Sequence, residues 1–278
     1  MRKRDKIPSS ENVATEGFST ALVRGLQILR AFGPADTSLG NLELMERTGL
    51  PKATVSRLTY TLAGLGYLTY NEVLGRYSLG SGVIALGYSA LSANPFIHLS
   101  KSMMQKIADD TGAAVALGTR DHNEMVYLSN CRSESLVTLR LNIGSRVPLW
   151  RSAMGLAYLV GLSDDERLDL RSRFRLGKHD DWVVVERLLD HALAEYEELG
   201  YITAFGTWHS YVNAVGVPLK PKDGSPTLAF TCGGISEIIV EKDVRDKIGP
   251  AMVSMVSKLV DELAPSSIVA EAGASAKL

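Results

Sequence analysis

Cysteine is nearly absent. The 278 residues hold two, Cys131 and Cys232, with no C-x-x-C. That excludes a disulfide framework and a zinc ribbon, and it fits a reducing cytoplasm. No apolar run reaches the ~18 residues that a membrane span requires. The basic start, Met1-Arg-Lys-Arg-Asp-Lys6, is not followed by an apolar stretch, so neither a membrane anchor nor a signal peptide is expected. Histidines are few and scattered (His98, His122, His179, His191, His209), without H-E-x-x-H or a Cys/His cluster, so no metal site is expected. Phosphate-loop and dinucleotide fingerprints are missing, so no cofactor is expected either. Cys232 precedes Gly233-Gly234, but no base can be assigned beside it. A buried small hydrophobe is the simpler reading, and no catalytic residue is expected.

Charge of one sign is also lacking overall, at a net −1. Its distribution is uneven. Residues 1–94 hold ten Lys/Arg against seven Asp/Glu, and the rest hold twenty against twenty-four. A mildly basic first part beside an acidic remainder fits a nucleic-acid module joined to something else. The length is ample for two domains.

What is present is periodicity. Residues 1–17 are polar and read as a loose basic arm. Ser19 is placed to cap a helix whose apolar positions are Leu22, Leu26, Leu29 and Phe32. Ser38 is expected to cap a second helix with Leu39, Leu42 and Met45 on its apolar side. Gly49 suits a tight turn, and Pro51 the first turn of a third helix. There Val55, Leu58, Leu62 and Leu65 form the expected buried stripe. Tyr67–Tyr70 and Arg76–Leu79 read as a hairpin about a turn at Asn71–Gly75. Three helices followed by a hairpin outline a winged helix-turn-helix over residues 18–80. Residues 81–95 read as a linker helix closed by Asn94-Pro95.

Beyond residue 96 the pattern is mixed. Helices are expected at Leu99–Thr111, Ser152–Leu162, Asp164–Phe174, Val183–Leu199 and Glu241–Leu263. Strands are expected at Ala113–Thr119, Met125–Asn130, Leu136–Leu141, Val212–Leu219 and Thr227–Cys232, with Lys222-Asp-Gly-Ser225 as a hairpin turn. The expected class is α+β, residues 96–264 forming one domain on a mostly antiparallel sheet, and 265–278 a loose tail.

The third helix carries the chemical argument. A recognition helix buries one stripe and shows the other to the major groove. With the apolar stripe inward, Lys52, Ala53, Thr54, Ser56, Arg57 and Tyr60 face outward or toward the helix start. Lys52 and the hydroxyls suit phosphate, Arg57 can fork onto guanine, and small Ala53 and Thr54 permit close approach to a thymine methyl. Arg76, beside the hairpin turn, is placed to reach a minor groove. Double-stranded operator DNA is the expected partner.

Gly49-Leu-Pro-Lys-Ala-Thr-Val-Ser-Arg-Leu58, Leu65-Gly-Tyr67 and Arg76-Tyr-Ser-Leu-Gly80 resemble the turn, recognition helix and wing of the IclR family of bacterial transcription regulators. Leu139–Pro148, Glu198–Tyr201, Asn213–Pro218 and Phe230–Gly234 resemble segments of its C-terminal domain. The resemblance covers about residues 19–263. It implies a GAF- or profilin-like sensor domain, a small organic effector, and assembly as homodimers or homotetramers. Carried over by position, the effector residues are Trp150, Arg151, Ser152, Ala153 and Met154 on a loop, with Thr203, Asn213, Thr231 and Gly233 on strands. Characterised members have an acidic residue, a cysteine and two serines at these four strand positions. The difference removes the basis for the small ketoacid of the name-giving member and opens the site to a larger or aromatic ligand. Two other readings compete: a helix-turn-helix fused to a small α+β enzyme, and a C-terminal domain that only assembles.

Overall fold

The computed structural model describes residues 18–134, 139, 141–176 and 181–263. The expected arm (1–17), the tail (265–278) and most of the strand expected at 136–141 lie outside the described residues. The chain divides into two compact units, Met1–Asn94 and Pro95–Leu278.

The first unit runs α1 (Thr20–Arg30), β1 (Leu39–Gly40), α2 (Asn41–Thr48), α3 (Lys52–Gly64), β2 (Leu68–Asn71), β3 (Arg76–Leu79) and α4 (Ser81–Ser92). Its sheet has the order β1-β3-β2. Ile28, Leu39, Leu44, Leu50, Val55, Leu68 and Tyr77 form the core. Ser19 occupies the N-cap position of α1 without a side-chain hydrogen bond. Ser38 is no helix cap: Leu39 and Gly40 pair with Tyr77 and Arg76 as a third strand, and Gly40 precedes α2. Leu42 is consequently exposed and Leu44 buried.

The buried stripe of α3 also differs from expectation. Leu65 is 65% exposed and Thr59 is fully buried. At 3.6 residues per turn, Leu65 has drifted about 80° from Val55, whereas Thr59 lies only about 40° away. The Thr59 hydroxyl donates to the Val55 carbonyl at 2.9 Å, so its burial strands no polar group.

The second unit runs α5 (Pro95–Thr111), β4 (Ala114–Asp121), β5 (Glu124–Arg132), β6 (Arg146–Pro148), α6 (Ala153–Gly161), α7 (Asp164–Leu176), α8 (Trp182–Leu199), β7 (Ile202–Phe205), β8 (Val212–Leu219) and β9 (Leu228–Ile235). It ends with α9 (Glu241–Asp243), a π-helical turn (Val244–Ile248) and α10 (Gly249–Glu262). Pro95 opens α5 rather than closing the linker, as proline tolerates a first helical turn. The expected final helix runs without interruption over 241–262 but widens to a π-helical turn just before Pro250, which lacks an N–H. The Gly249 amide reaches back five residues to the Val244 carbonyl.

The six strands form an antiparallel sheet in the order β6-β5-β4-β9-β8-β7. Alternation gives it two different faces. Val115, Leu117, Val215, Val217, Phe230 and Cys232 share a buried cluster with residues of α5 and α10. The opposite face presents small residues, Ala116, Ala204, Ala214 and Ala229, to the wholly buried α6. Close approach requires this. A Cβ on Gly216 would lie 2.6 Å from the Ala153 carbonyl oxygen, and one on Gly118 would lie 2.3 Å from Met154 Sδ.

Candidate functional site

In the first unit α3 presents one polar row. Lys52, Ala53, Ser56, Arg57 and Tyr60 are exposed, Tyr60 at 81%, and Thr54 is half-buried. Among the described residues the ion pairs Arg47–Asp36 and Arg76–Glu43 brace this unit. Lys52 and Arg57 belong to neither.

Arg76 departs from its expected role. Its Nε donates to the Ser38 hydroxyl at 2.9 Å, and one terminal nitrogen donates to the Ser38 carbonyl at 2.8 Å and to Glu43 Oε1 at 2.9 Å. Glu43 in turn accepts from the Gly40 amide at 2.7 Å. The Arg76 hydrogen bond, then the Gly40 amide, holds the Glu43 carboxyl below its ordinary pKa. The guanidinium is therefore a tie between β3 and the start of α2. On the same hairpin Tyr70 and Tyr77 pack with tilted rings, their centres 4.7 Å apart.

In the second unit a cavity lies between the small-residue face of the sheet and the start of α6. Its walls include Ala114, Ala116, Tyr127, Asn130, Ser152, Ala153, Met154, Thr207, Trp208, Thr231 and Gly233, and none of its described lining residues is charged. The space open to the centre of a water-sized sphere is about 40 Å³. The Ser152 hydroxyl donates to the Pro148 carbonyl at 2.6 Å and accepts from the Gly155 amide at 3.1 Å, which fixes the helix start. Thr207 donates to the Arg151 carbonyl at 2.7 Å. Burial pushes the Tyr127 phenol up to about 12, against an opposing hydrogen bond with Thr231. Asn130 donates through Nδ2 to the Leu141 carbonyl, and its Oδ1 is buried with no partner among the described residues.

Of the nine expected effector positions, the structure brings together five: Ser152, Ala153, Met154, Thr231 and Gly233. The other four are turned elsewhere. Trp150 packs in the core against Phe174 and Trp182, at 4.6 and 6.4 Å. Arg151 pairs with Asp181 at 2.6 Å. Thr203 and Asn213 fail by strand parity. Ala204 pairs with Ala214, and Ala214 with Gly233, on the cavity face. Thr203 and Asn213 alternate with these and point through the sheet. Thr203 donates to Glu195 at 2.8 Å, and Asn213 donates to the Ile239 carbonyl at 2.9 Å.

Tyr127, Asn130 and Thr207 were not expected here. Tyr127 and Asn130 are three apart, which in a regular strand puts them on opposite faces. A bulge intervenes: Leu117 pairs with Ser129 but Gly118 with Tyr127, so Leu128 is the extra residue and Tyr127 and Asn130 reach one face.

Models of the IclR helix-turn-helix domain and of the bacterial transcriptional regulator IclR C-terminal domain match residues 21–72 and 88–260. The chain is 33% identical, over 95% of both proteins, to the HTH-type transcriptional regulator TsaQ1/TsaQ2 of Comamonas testosteroni. It is similar to an IclR family transcriptional regulator from Brucella abortus, with 39% identity, a TM-score of 0.81, and 92% of this chain and 97% of that one covered. An IclR homolog from Microbacterium hydrocarbonoxydans complexed with 4-hydroxybenzoate shares the fold at 20% identity and a TM-score of 0.64, over 86% of this chain and all of that one.

Proposed function

Because this chain belongs to the IclR family and is a DNA-binding transcriptional regulator, we propose that it reads operator DNA with α3 and senses a small aromatic carboxylate in the cavity beneath α6. The enzyme-fusion reading is set aside on that membership: the curated relatives are regulators. In this reading residues 18–80 bind DNA, 81–94 link, and the sensor begins at Pro95, where α5 starts, rather than at 96.

One observation carries the sensor reading. The cavity is apolar, uncharged among its described lining residues, and rimmed by a few fixed polar groups, among them the Tyr127 phenol and a buried amide oxygen with no partner among the described residues. Such a site suits an aromatic ring with one or two polar substituents. A carboxylate is accommodated by the start of α6 at Ser152–Met154, where the helix dipole favours negative charge. A ligand hydroxyl would complete Asn130. The binding of 4-hydroxybenzoate by the Microbacterium homolog supports the same ligand class here. The room is small, so the walls must yield to admit a ring.

Operator binding is expected from Lys52, Ala53, Thr54, Ser56, Arg57 and Tyr60, without Arg76. Pairing of two chains supplies the second half-site. A homodimer or homotetramer is supported by α4, which buries no residue within its own chain and exposes Ile84, Leu86 and Tyr88, and by exposed Leu22 and Leu26 on α1. The expected output is repression relieved or enforced by the effector. Among the described residues no helix is long and apolar enough to cross a membrane.

The test is a thermal-shift panel of benzoate, 4-hydroxybenzoate, phenol and short aliphatic acids on the full chain. Saturation at ~100 times Kd stabilises by about 2.7 kcal/mol. A shift with the hydroxybenzoate, without consumption of it, supports the sensor. If no aromatic acid shifts the melt while a short aliphatic acid does, the ligand class is wrong.

A further inference from the structure

The wing is short of positive charge. Residues 67–75, Tyr-Leu-Thr-Tyr-Asn-Glu-Val-Leu-Gly, contain no Lys or Arg and one acid, Glu72. The next cation, Arg76, is held by Ser38 and Glu43. A wing built this way has no free cation for phosphate.

Its tip is instead apolar and held. Val73 is 94% exposed and Leu74 64%. The Leu74 amide donates to Asn71 Oδ1 at 3.0 Å, and Gly75 takes φ +63°, which fixes the turn between β2 and β3. A rigid exposed tip costs little ordering entropy on docking. Among the described residues of its own unit nothing covers these two side chains, and a regulator gains no solubility from displaying them.

We infer that Val73 and Leu74 enter the minor groove beside the major-groove site of α3 and select against guanine there. The minor-groove edges of A·T and T·A carry acceptors alone, while G·C adds the guanine 2-amino donor, which stands up from the groove floor. An apolar tip offers that amino group no acceptor and strips its water, so a G·C pair under the tip is penalised. The contact is uncharged, so it adds sequence preference without adding salt dependence. This inference rests on α3 being the recognition helix.

The experiment uses full-length protein and a duplex selected by it from a random pool. Flanking pairs are changed one at a time from A·T to G·C and to I·C, since inosine lacks the 2-amino group but keeps the major-groove face of guanine. The expected result is a flank position where G·C weakens binding about tenfold and I·C restores it. The double variant Val73→Ser, Leu74→Ser should bind A·T and G·C duplexes within about twofold of each other, with an unchanged salt slope. Leu74→Lys, which keeps the turn, should steepen the slope by about one unit per wing. Circular dichroism checks the fold of each.

The inference is overturned if no flank position shows inosine rescue, if the Ser variant keeps full discrimination, or if Leu74→Lys leaves the slope unaltered. It is also overturned if the Ser variant sediments as a smaller species, because the tip then belongs to an interface between copies. Arg57→Ala separates the two readings. If it weakens operator binding while the wing variants do not, only the wing inference fails. If it has no effect, the assignment of α3 fails.

Discussion

Arg76 and Ser38 are joined twice: the guanidinium donates to the hydroxyl and to the carbonyl of the same serine, at 2.9 and 2.8 Å. The pairing links the wing to the residue that leads into β1, across 38 positions of sequence. Arg76→Ala should therefore lower the melting temperature of the DNA-binding unit by several degrees. At temperatures where the unit stays folded, the salt slope of operator binding should match wild type. A slope reduced by about one unit, with an unchanged melt, would return Arg76 to the phosphate backbone.

The same tie sets an acid limit. Arg76 and the Gly40 amide depress the Glu43 pKa below its ordinary 4.5, and Arg47 does the same for Asp36 below 3.8. A depressed carboxylate stabilises the fold fully above its unfolded pKa and loses that contribution as pH falls through the folded value. Melting of the first unit should be flat with pH near neutrality and fall below about 4.5. Glu43→Gln should flatten that acid limb. A limb of unchanged steepness in the variant would place the titrating groups elsewhere.

On α3, Arg57 and Lys52 should fail differently. Arg57→Ala is expected to cost ~1–3 kcal/mol on a selected operator and relax preference at one base pair. Lys52→Ala should weaken all duplexes alike and reduce the salt slope by about one. Gel shifts across a salt series separate the two, and wild-type behaviour of both would move the DNA face off α3.

The two faces of the sensor sheet give a paired test. Thr231→Val, on the cavity side, should weaken an aromatic-acid ligand by about 0.5–1.5 kcal/mol while the fold survives. Asn213→Ala, on the far side, should leave ligand affinity alone and cost ~1–3 kcal/mol of stability, since the buried Ile239 carbonyl loses its donor. Calorimetry beside a denaturant melt reads both. Reversed outcomes would mean that the ligand lies on the other face.

Gly216→Ala probes how tightly α6 is seated. A Cβ there meets the Ala153 carbonyl oxygen at 2.6 Å and the Ala157 Cβ at 2.8 Å. Overpacking of this kind costs about 1–3 kcal/mol, read as a lower denaturant midpoint. A neutral substitution would show that the helix can shift.

The helices, the hairpin and the turn residues of the DNA-binding unit were legible because they rest on local periodicity. Lys52, Ser56, Arg57 and Tyr60 fall outward from the phase of Val55 alone. Arg76 was misread because its partners lie 33 and 38 positions away, and no local pattern announces a long-range tie. The sensor site was half legible for a related reason. Thr231 and Gly233 share a strand face by simple alternation. Whether Asn213 and Thr203 share it depends on register between strands, and Tyr127 joins Asn130 only through the bulge at Leu128.

The strand order has a consequence for synthesis on the ribosome. β9 lies at the middle of the sheet, between β4 and β8, although it is the last strand made. A chain that stops before Leu228 lacks the seam rather than an edge, and its sheet is left as two separate pieces, β6-β5-β4 and β8-β7. At about 5–20 residues per second, the elements of the DNA-binding unit leave the ribosome some 8–30 seconds before that seam can close. During that interval the nascent regulator has its wing and recognition helix but no sensor to govern them.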